Sequence, residues 1–355
     1  MLQPQKHSSL YKAPILWGLL HGINDWLAGF MLAGFAFQQS SQNAMLMLIV
    51  YAIIGFGGQL PAGMWLDASA NIRAFSKTSF VLLTLAPLVW FISPFAGIIV
   101  IGLSSAFVHV TGGAISLNVS GDKVGPLGLF TAPGVLGLAL GSLLAGIATY
   151  WLAVPVIGIL MIGWLMPVMQ PATPLVKQTA KSLPDSHDWI MLGILLLVVL
   201  RSLLYDIIQQ VSQNWQQGLL VIGISAFLGK IIGGFLADKI GWKKWVYITL
   251  PLSFVLLQFG RENIYMLGFG IFSLQSSVPI SLLLMRRSLP AYPGVSAAMV
   301  LGVGVAISGL PLYLIEHQYL LTGWFGVAGI TTAVIITAAT ILMLTGKWRP
   351  LHPTS

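Results

Sequence analysis

Gly233-Gly234-Phe235-Leu236-Ala237-Asp238-Lys239-Ile240-Gly241-Trp242-Lys243-Lys244 is a short charged turn set between two long apolar stretches. Its small residues let two helices come close together. Asp238 can cap a following helix or pair with a nearby base, and Gly241 permits a tight turn. Lys243 and Lys244 suit the anionic leaflet of a membrane. Taken alone, the stretch reads as a positively charged loop before it reads as a hinge between sliding helices. The surrounding chain decides between these.

The flanking stretches are not exceptional in this chain. Of 355 residues, 57% are hydrophobic and only 7% charged, with a mean hydropathy of +0.89. A soluble domain carries about 25% charged residues, so this chain has too little polar surface to cover itself with water. It reads as a polytopic, all-α membrane protein. Apolar runs predict twelve spans, near 14–37, 43–66, 75–92, 95–119, 126–150, 152–170, 189–209, 216–237, 245–260, 264–285, 292–315 and 321–345. The first is long and lacks an A-x-A-like site, so no cleaved leader is expected. There is no cysteine, which excludes disulfides and thiolate metal sites. No metal or cofactor is expected. The net charge of +8 is scattered between spans, so it indicates topology and not nucleic-acid binding.

With the N-terminus inside, the inner segments hold Lys6, Lys12, Arg73, Lys77, Lys123, Lys177, Lys181, Lys239, Lys243, Lys244, Arg286, Arg287, Lys347 and Arg349, and the outer turns only Arg261. The positive-inside rule then places both termini in the cytoplasm. The longest inner connection is the Pro- and Lys-containing segment 171–188. It separates a bundle over 1–170 from one over 189–355, six spans in each. The halves repeat weakly but in order. Gly58-x4-Gly63-x3-Asp67 matches Gly229-x4-Gly234-x3-Asp238, and Ile115-Ser116-Leu117 matches Ile280-Ser281-Leu282. Two such pseudo-symmetric bundles with a site between them are a transporter plan.

The opening stretch, together with this plan, resembles the signature loop of the major facilitator superfamily: Gly234, Asp238, Lys239, Gly241, Lys243 and Lys244 stand where the family has Gly, Asp, basic, Gly, basic and basic. The first-half copy keeps Gly63 and Asp67 but lacks the following basic residue and glycine. The resemblance implies alternating access in a cytoplasmic membrane of bacterial type, with spans 1, 4, 7 and 10 lining a cavity. A monomer working on a small-molecule substrate is expected.

Those spans hold most of the intramembrane polar residues. Span 1 carries His21, Asn24 and Asp25. At 1.5 Å per residue, Asp25 lies about 16 Å beyond Pro14, near mid-bilayer. A carboxylate there costs roughly 2.5 to more than 10 kcal/mol. His21 shares its helix face, which makes the two the candidate proton-coupling pair. Span 4 offers His109, Gly112, Gly113 and Ser116. Span 7 offers Arg201, Tyr205, Asp206 and Gln209, and span 10 offers Gln275. Arg201 stays charged and wants a carboxylate or an anionic ligand, and Asp25 is its expected partner by depth. Lys230 is expected to snorkel to the inner interface. His21-Gly22-x-Asn24-Asp25 with Leu200-Arg201-Ser202 is similar to the fosmidomycin-resistance-like branch of drug-efflux transporters, which implies export in exchange for protons. Span 5 reads Ala132-Pro133-Gly134-x-x-Gly137-x3-Gly141, a changed order from the antiporter pattern, and also suits plain helix packing. No phosphate loop or hydrolase motif appears, so an enzyme is not expected. Three functions follow: a proton-coupled exporter of small amphipathic or anionic compounds, an importer or exchanger of an organic anion clamped by Arg201, and a non-transporting receptor on the same fold.

Overall fold

Backbone amides have no water to bind in a hydrocarbon layer, so spanning segments satisfy them within helices. The computed structural model describes residues 7–165, 186–212, 217–260, 262–312 and 335. These residues form α1 (His7–Gln38), α2 (Ser41–Tyr51), α3 (Gln59–Ser69), α4 (Ile72–Ile92), α5 (Pro94–Ser120), α6 (Gly125–Ala145) and α7 (Ala153–Leu165). They continue with α8 (Ser186–Ser212), α9 (Gly218–Ile240), α10 (Trp242–Phe259), α11 (Ile264–Gln275), α12 (Val278–Ser288), α13 (Pro293–Ala298) and α14 (Gly304–Leu312). Among the described residues, eight helical stretches are long and apolar enough to cross a membrane. The chain is a multi-pass membrane protein. The greater part of the expected linker, 171–185, and nearly all of the span expected at 321–345 lie outside the described residues. Short polar side chains start several helices: Ser40, Asn71, Ser93 and Asn263 accept from amides one turn on.

Three expected spans are not regular helices. The stretch 264–285 breaks at Ser276 and Ser277, because Pro279 cannot continue a helix from α11 but fits the first turn of α12. The hydroxyls of Ser276 and Ser277 donate back to the carbonyls of Ser273 and Leu274 at 2.7 and 2.8 Å. Spans 2 and 11 each contain a π-helical segment, Ala52–Gly57 between α2 and α3 and Met299–Val303 between α13 and α14. The two segments pack against each other.

α1 lies along α6 through a seam of glycines. A side chain at Gly18 or Gly29 would strike a carbonyl of α6, and one at Gly137 or Gly141 would strike the carbonyls of Gly22 or Trp26. The glycine run of span 5 is therefore helix packing, as small residues in membranes predict. The same helix packs against α9, and α3 packs against α13, which joins the first and second parts of the chain.

At the face carrying Lys123, Lys239 and Arg287, two carboxylates hold those junctions. Asp67 of α3 accepts from the amides of Gly294 and Val295, both at 2.8 Å, at the start of α13. Asp238 of α9 accepts from Val124 and Gly125, at 2.7 and 2.9 Å, at the start of α6. The contacts are reciprocal, each repeat motif capping a helix of the opposite half. Gly63 lies against Gly294, and Gly234 against Gly125, so backbone meets backbone at both. The missing basic residue after Asp67 does not prevent its clamp, because the partner is a helix N-terminus and not a side chain. Gly241 takes φ +92°, the turn expected of it, and carries the chain into α10, whose first turn holds Lys243 and Lys244. Arg287 adds an ion pair to Asp122 at 2.8 Å.

Each carboxylate–amide pair contributes about 1.5–3 kcal/mol to closure of this face. The cysteine-free chain gives a direct check. With Thr131→Cys as the single thiol, Asp67→Asn combined with Asp238→Asn raises labelling by an impermeant maleimide from this face at least about tenfold, the lower bound for the loss of one such pair. Unchanged labelling would remove the clamp.

Candidate functional site

Burying a carboxylate demands hydrogen-bond donors or a cation around it. Around Asp25 stand an amide donor and two imidazoles. His21, one turn back on α1, places Nε2 at 3.1 Å from Asp25 Oδ2, and His109 of α5 places Nε2 at 3.7 Å from Oδ1. Asn24 donates from Nδ2 to Oδ1 at 3.0 Å and is itself held by Ser104, whose hydroxyl donates to Asn24 Oδ1 at 2.9 Å. The histidines are 4% exposed and Asn24 is fully buried. Their rings meet edge to face at 4.3 Å.

The other ring nitrogens decide the chemistry. His21 Nδ1 lies 3.0 Å from the carbonyl oxygen of Phe130, and His109 Nδ1 lies 2.7 Å from that of Ser105. A carbonyl only accepts, so both Nδ1 atoms carry a proton. In the neutral ring Nε2 is then a bare lone pair. At 3.1 Å that lone pair faces a carboxylate oxygen, and the contact is attractive only with a cation between them. A proton or a metal ion fills that role. Gly134 of α6 completes the enclosure: a methyl group there would fall on His21 Nε2 and lie 2.6 Å from Asp25 Oδ2.

The cluster forms one wall of a cavity of about 840 Å³. Arg201, Tyr205, Asp206, Gln209 and Gln210 of α8 also line it, with Lys230 of α9 and Gln275 of α11. Both π-helical segments contribute, through Ala52 and Phe56 and through Val300 and Leu301. Arg201 is 5% exposed, yet among the described residues it makes no ion pair; Nη1 donates to Ser281 Oγ at 2.8 Å. Among the described residues, Lys230 donates to the carbonyl of Thr131, at 3.3 Å. Asp206 accepts from Ser308 at 3.3 Å.

No protein-family model matches the chain, and no characterised protein matches it in sequence. Solved structures do match. FucP, a major facilitator superfamily transporter captured in the outward conformation, aligns with a TM-score of 0.66 over 94% of this chain and 97% of that one, at 12% identity. The human organic anion transporter MFSD10 (TETRAN) aligns at 0.65 over 95% and 100%, at 15% identity. A variant of the E. coli fucose:proton symporter FucP gives 0.61 at 12% identity, over 94% and 97%. The fold is that of the major facilitator superfamily.

Within this major facilitator fold, the residues singled out from sequence on spans 1, 7 and 10, apart from Asn24, line one cavity, with His109 from span 4. Four expectations change. Arg201 and Asp25 do not touch; the histidines take the place expected of the arginine. Lys230 lines the cavity instead of reaching the interface. Asn24 is absent from the cavity wall and orients Asp25 from behind. On span 4 only His109 reaches the cavity, since Gly112 packs on Phe130 and Trp17, and Gly113 on Ala297. Lys230 was signalled by being an isolated intramembrane cation. Thr131 and Gln210 carried no such signal.

The tautomer assignment is open to measurement. In ¹⁵N-histidine NMR spectra, assigned through His21→Gln and His109→Gln, both rings carry hydrogen on Nδ1 at every pH, alone or as the imidazolium. An Nε2–H tautomer at either ring would overturn it.

Proposed function

We propose that this chain is a proton-coupled secondary transporter of small organic anions, built as two six-helix halves (1–170 and 189–355) that rock about the cavity. The observation that carries the anion is Arg201, buried in the cavity wall with one hydroxyl partner and no carboxylate partner among the described residues. A guanidinium so placed has donors to spare and a charge that water no longer screens. Lys230 adds a second cation to the lining of the cavity. MFSD10 is an organic anion transporter, which illustrates that the fold accommodates such cargo.

The coupling site is the cluster of His21, Asp25 and His109. With a proton between His21 and Asp25, the cluster is neutral; without it, the cluster is an anion facing the same cavity. Its field then opposes an incoming anion. Proton and anion therefore favour each other's binding, which couples their movement in one direction. The face clamped by Asp67 and Asp238 releases for that movement to complete. Export in exchange for protons is the second reading, favoured by the motif likeness of His21–Asp25 and Arg201. It requires the opposite sign, with anion binding weakened by the proton.

Two measurements separate these readings. In a thermal-shift screen of small carboxylates, sulfonates and phosphonates at two pH values, stabilisation by a bound anion is larger at the lower pH for cotransport and smaller for exchange. In reconstituted vesicles, Asp25→Asn abolishes flux driven by a pH gradient, and full retention would sink the coupling assignment. Arg201→Lys weakens anion binding about ten- to hundredfold, through loss of charged hydrogen bonds. Unaltered binding in that variant removes the anion reading.

A further inference from the structure

We infer that His21, Asp25 and His109 bind a divalent transition-metal ion of the zinc type inside the cavity. The inference rests on the geometry of the cluster and stands apart from the anion reading.

One possible ligand atom from each residue, a ring nitrogen of each histidine and a carboxylate oxygen, lies within 4.8 Å of the others. The individual separations are 3.1 Å for His21–Asp25 and 3.7 Å for His109–Asp25. Donors around a tetrahedral ion with bonds of about 2.0–2.1 Å stand roughly 3.3–3.4 Å apart. The two observed distances, which run to different oxygens of Asp25, lie near that spacing.

The groups behind the ligands are those a metal site needs. Each histidine gives its Nδ1 proton to a backbone carbonyl, which leaves the Nε2 lone pair pointing inward and makes it a better donor. Asp25 is steadied by Asn24, and Asn24 by Ser104. These supports come from α1, α5 and α6, and none depends on an ion being present. Three protein ligands leave a position facing the cavity, the arrangement of an exchangeable site and not of a closed structural one. Two imidazoles and one carboxylate suit zinc, cobalt and nickel better than magnesium or calcium, which prefer oxygen. Lys230 and Arg201 line the same cavity and oppose a cation, so affinity is set against their field.

Cobalt(II) is the probe, because its visible bands distinguish four- from six-coordination. The purified full chain, carrying no histidine tag and held at one pH without a gradient, takes up one equivalent with four-coordinate bands that zinc bleaches. His21→Gln and His109→Gln each weaken binding a hundredfold or more. Ser104→Ala, which leaves every ligand in place, weakens it about tenfold. Lys230→Gln tightens it, a change that a surface site would not show. Replacing the remaining histidines together (His7, His187, His317 and His352 to Gln) leaves it intact. The absence of saturable binding, or undiminished four-coordinate binding in His21→Gln/His109→Gln, overturns the inference. Failure here with retained pH-linked anion stabilisation leaves the transport reading standing, and the converse result leaves the metal site standing alone.

Discussion

The contact on which this molecule turns is the 3.1 Å approach of an imidazole lone pair to a buried carboxylate. Two acceptors at that distance repel unless a cation lies between them, and the second ring nitrogen of His21 cannot relieve the conflict because a backbone carbonyl holds its proton. His109 repeats the arrangement from the other side. The cluster is thus a receptor for positive charge by construction. It does not need Arg201 for neutrality, which leaves the arginine uncommitted. That separation follows from one observation, and it gives the cavity two unlike features: a carboxylate ringed by imidazoles, and the cations Arg201 and Lys230 in its lining.

The basic face is held by a different use of the same chemistry. Asp67 and Asp238 each meet a pair of amides at a helix start, where unsatisfied N–H groups and the helix dipole favour negative charge. Side-chain partners would have to be matched residue by residue in both halves. Helix starts need no matching, so the clamp survives in the first repeat although its basic residue is gone. The two junctions nevertheless differ. The one through α3 and α13 runs beside both π-helical segments, while the one through α9 and α6 is made of regular helices. Interruptions of the regular ladder are where helices bend. The two junctions therefore differ in stiffness, a difference that repeat matching alone does not reveal.

Much of this was legible from sequence. The paucity of charge and the apolar spans declare a membrane bundle, and Asp25 and Arg201 stand out because each is costly where it sits. The repeat of Gly63–Asp67 in Gly234–Asp238 points to two halves, and both aspartates turn out to act alike. What could not be read is helix rotation. Asp25 and Arg201 match in depth, yet partnership depends on which way α1 and α8 turn, and α5 brings His109 to the place first. Lys230 was misjudged on the same ground, since an intramembrane lysine can bend toward either the interface or a cavity. The π-helical segments leave no signature at all, because one extra residue per turn changes neither composition nor hydropathy.

The glycine seam explains how the cluster and the gate share one element. α1 and α6 touch through carbonyls at Gly137 and Gly141, an approach that any side chain would prevent. That closeness brings Gly134 directly against His21 Nε2 and Asp25 Oδ2, with no atom between to absorb a shift. The start of the same helix, at Val124 and Gly125, is where Asp238 holds the opposite half. About nine residues, or some 14 Å of helix, join the two points. A cation entering the cluster changes the spacing of His21 and Asp25, and the backbone of α6 bears that change at its tightest contact. Packed interiors respond to such displacements by shifting whole elements and not by compressing. The cluster and the clamped face are therefore joined by a single helix, gripped at both ends and without side-chain slack at either.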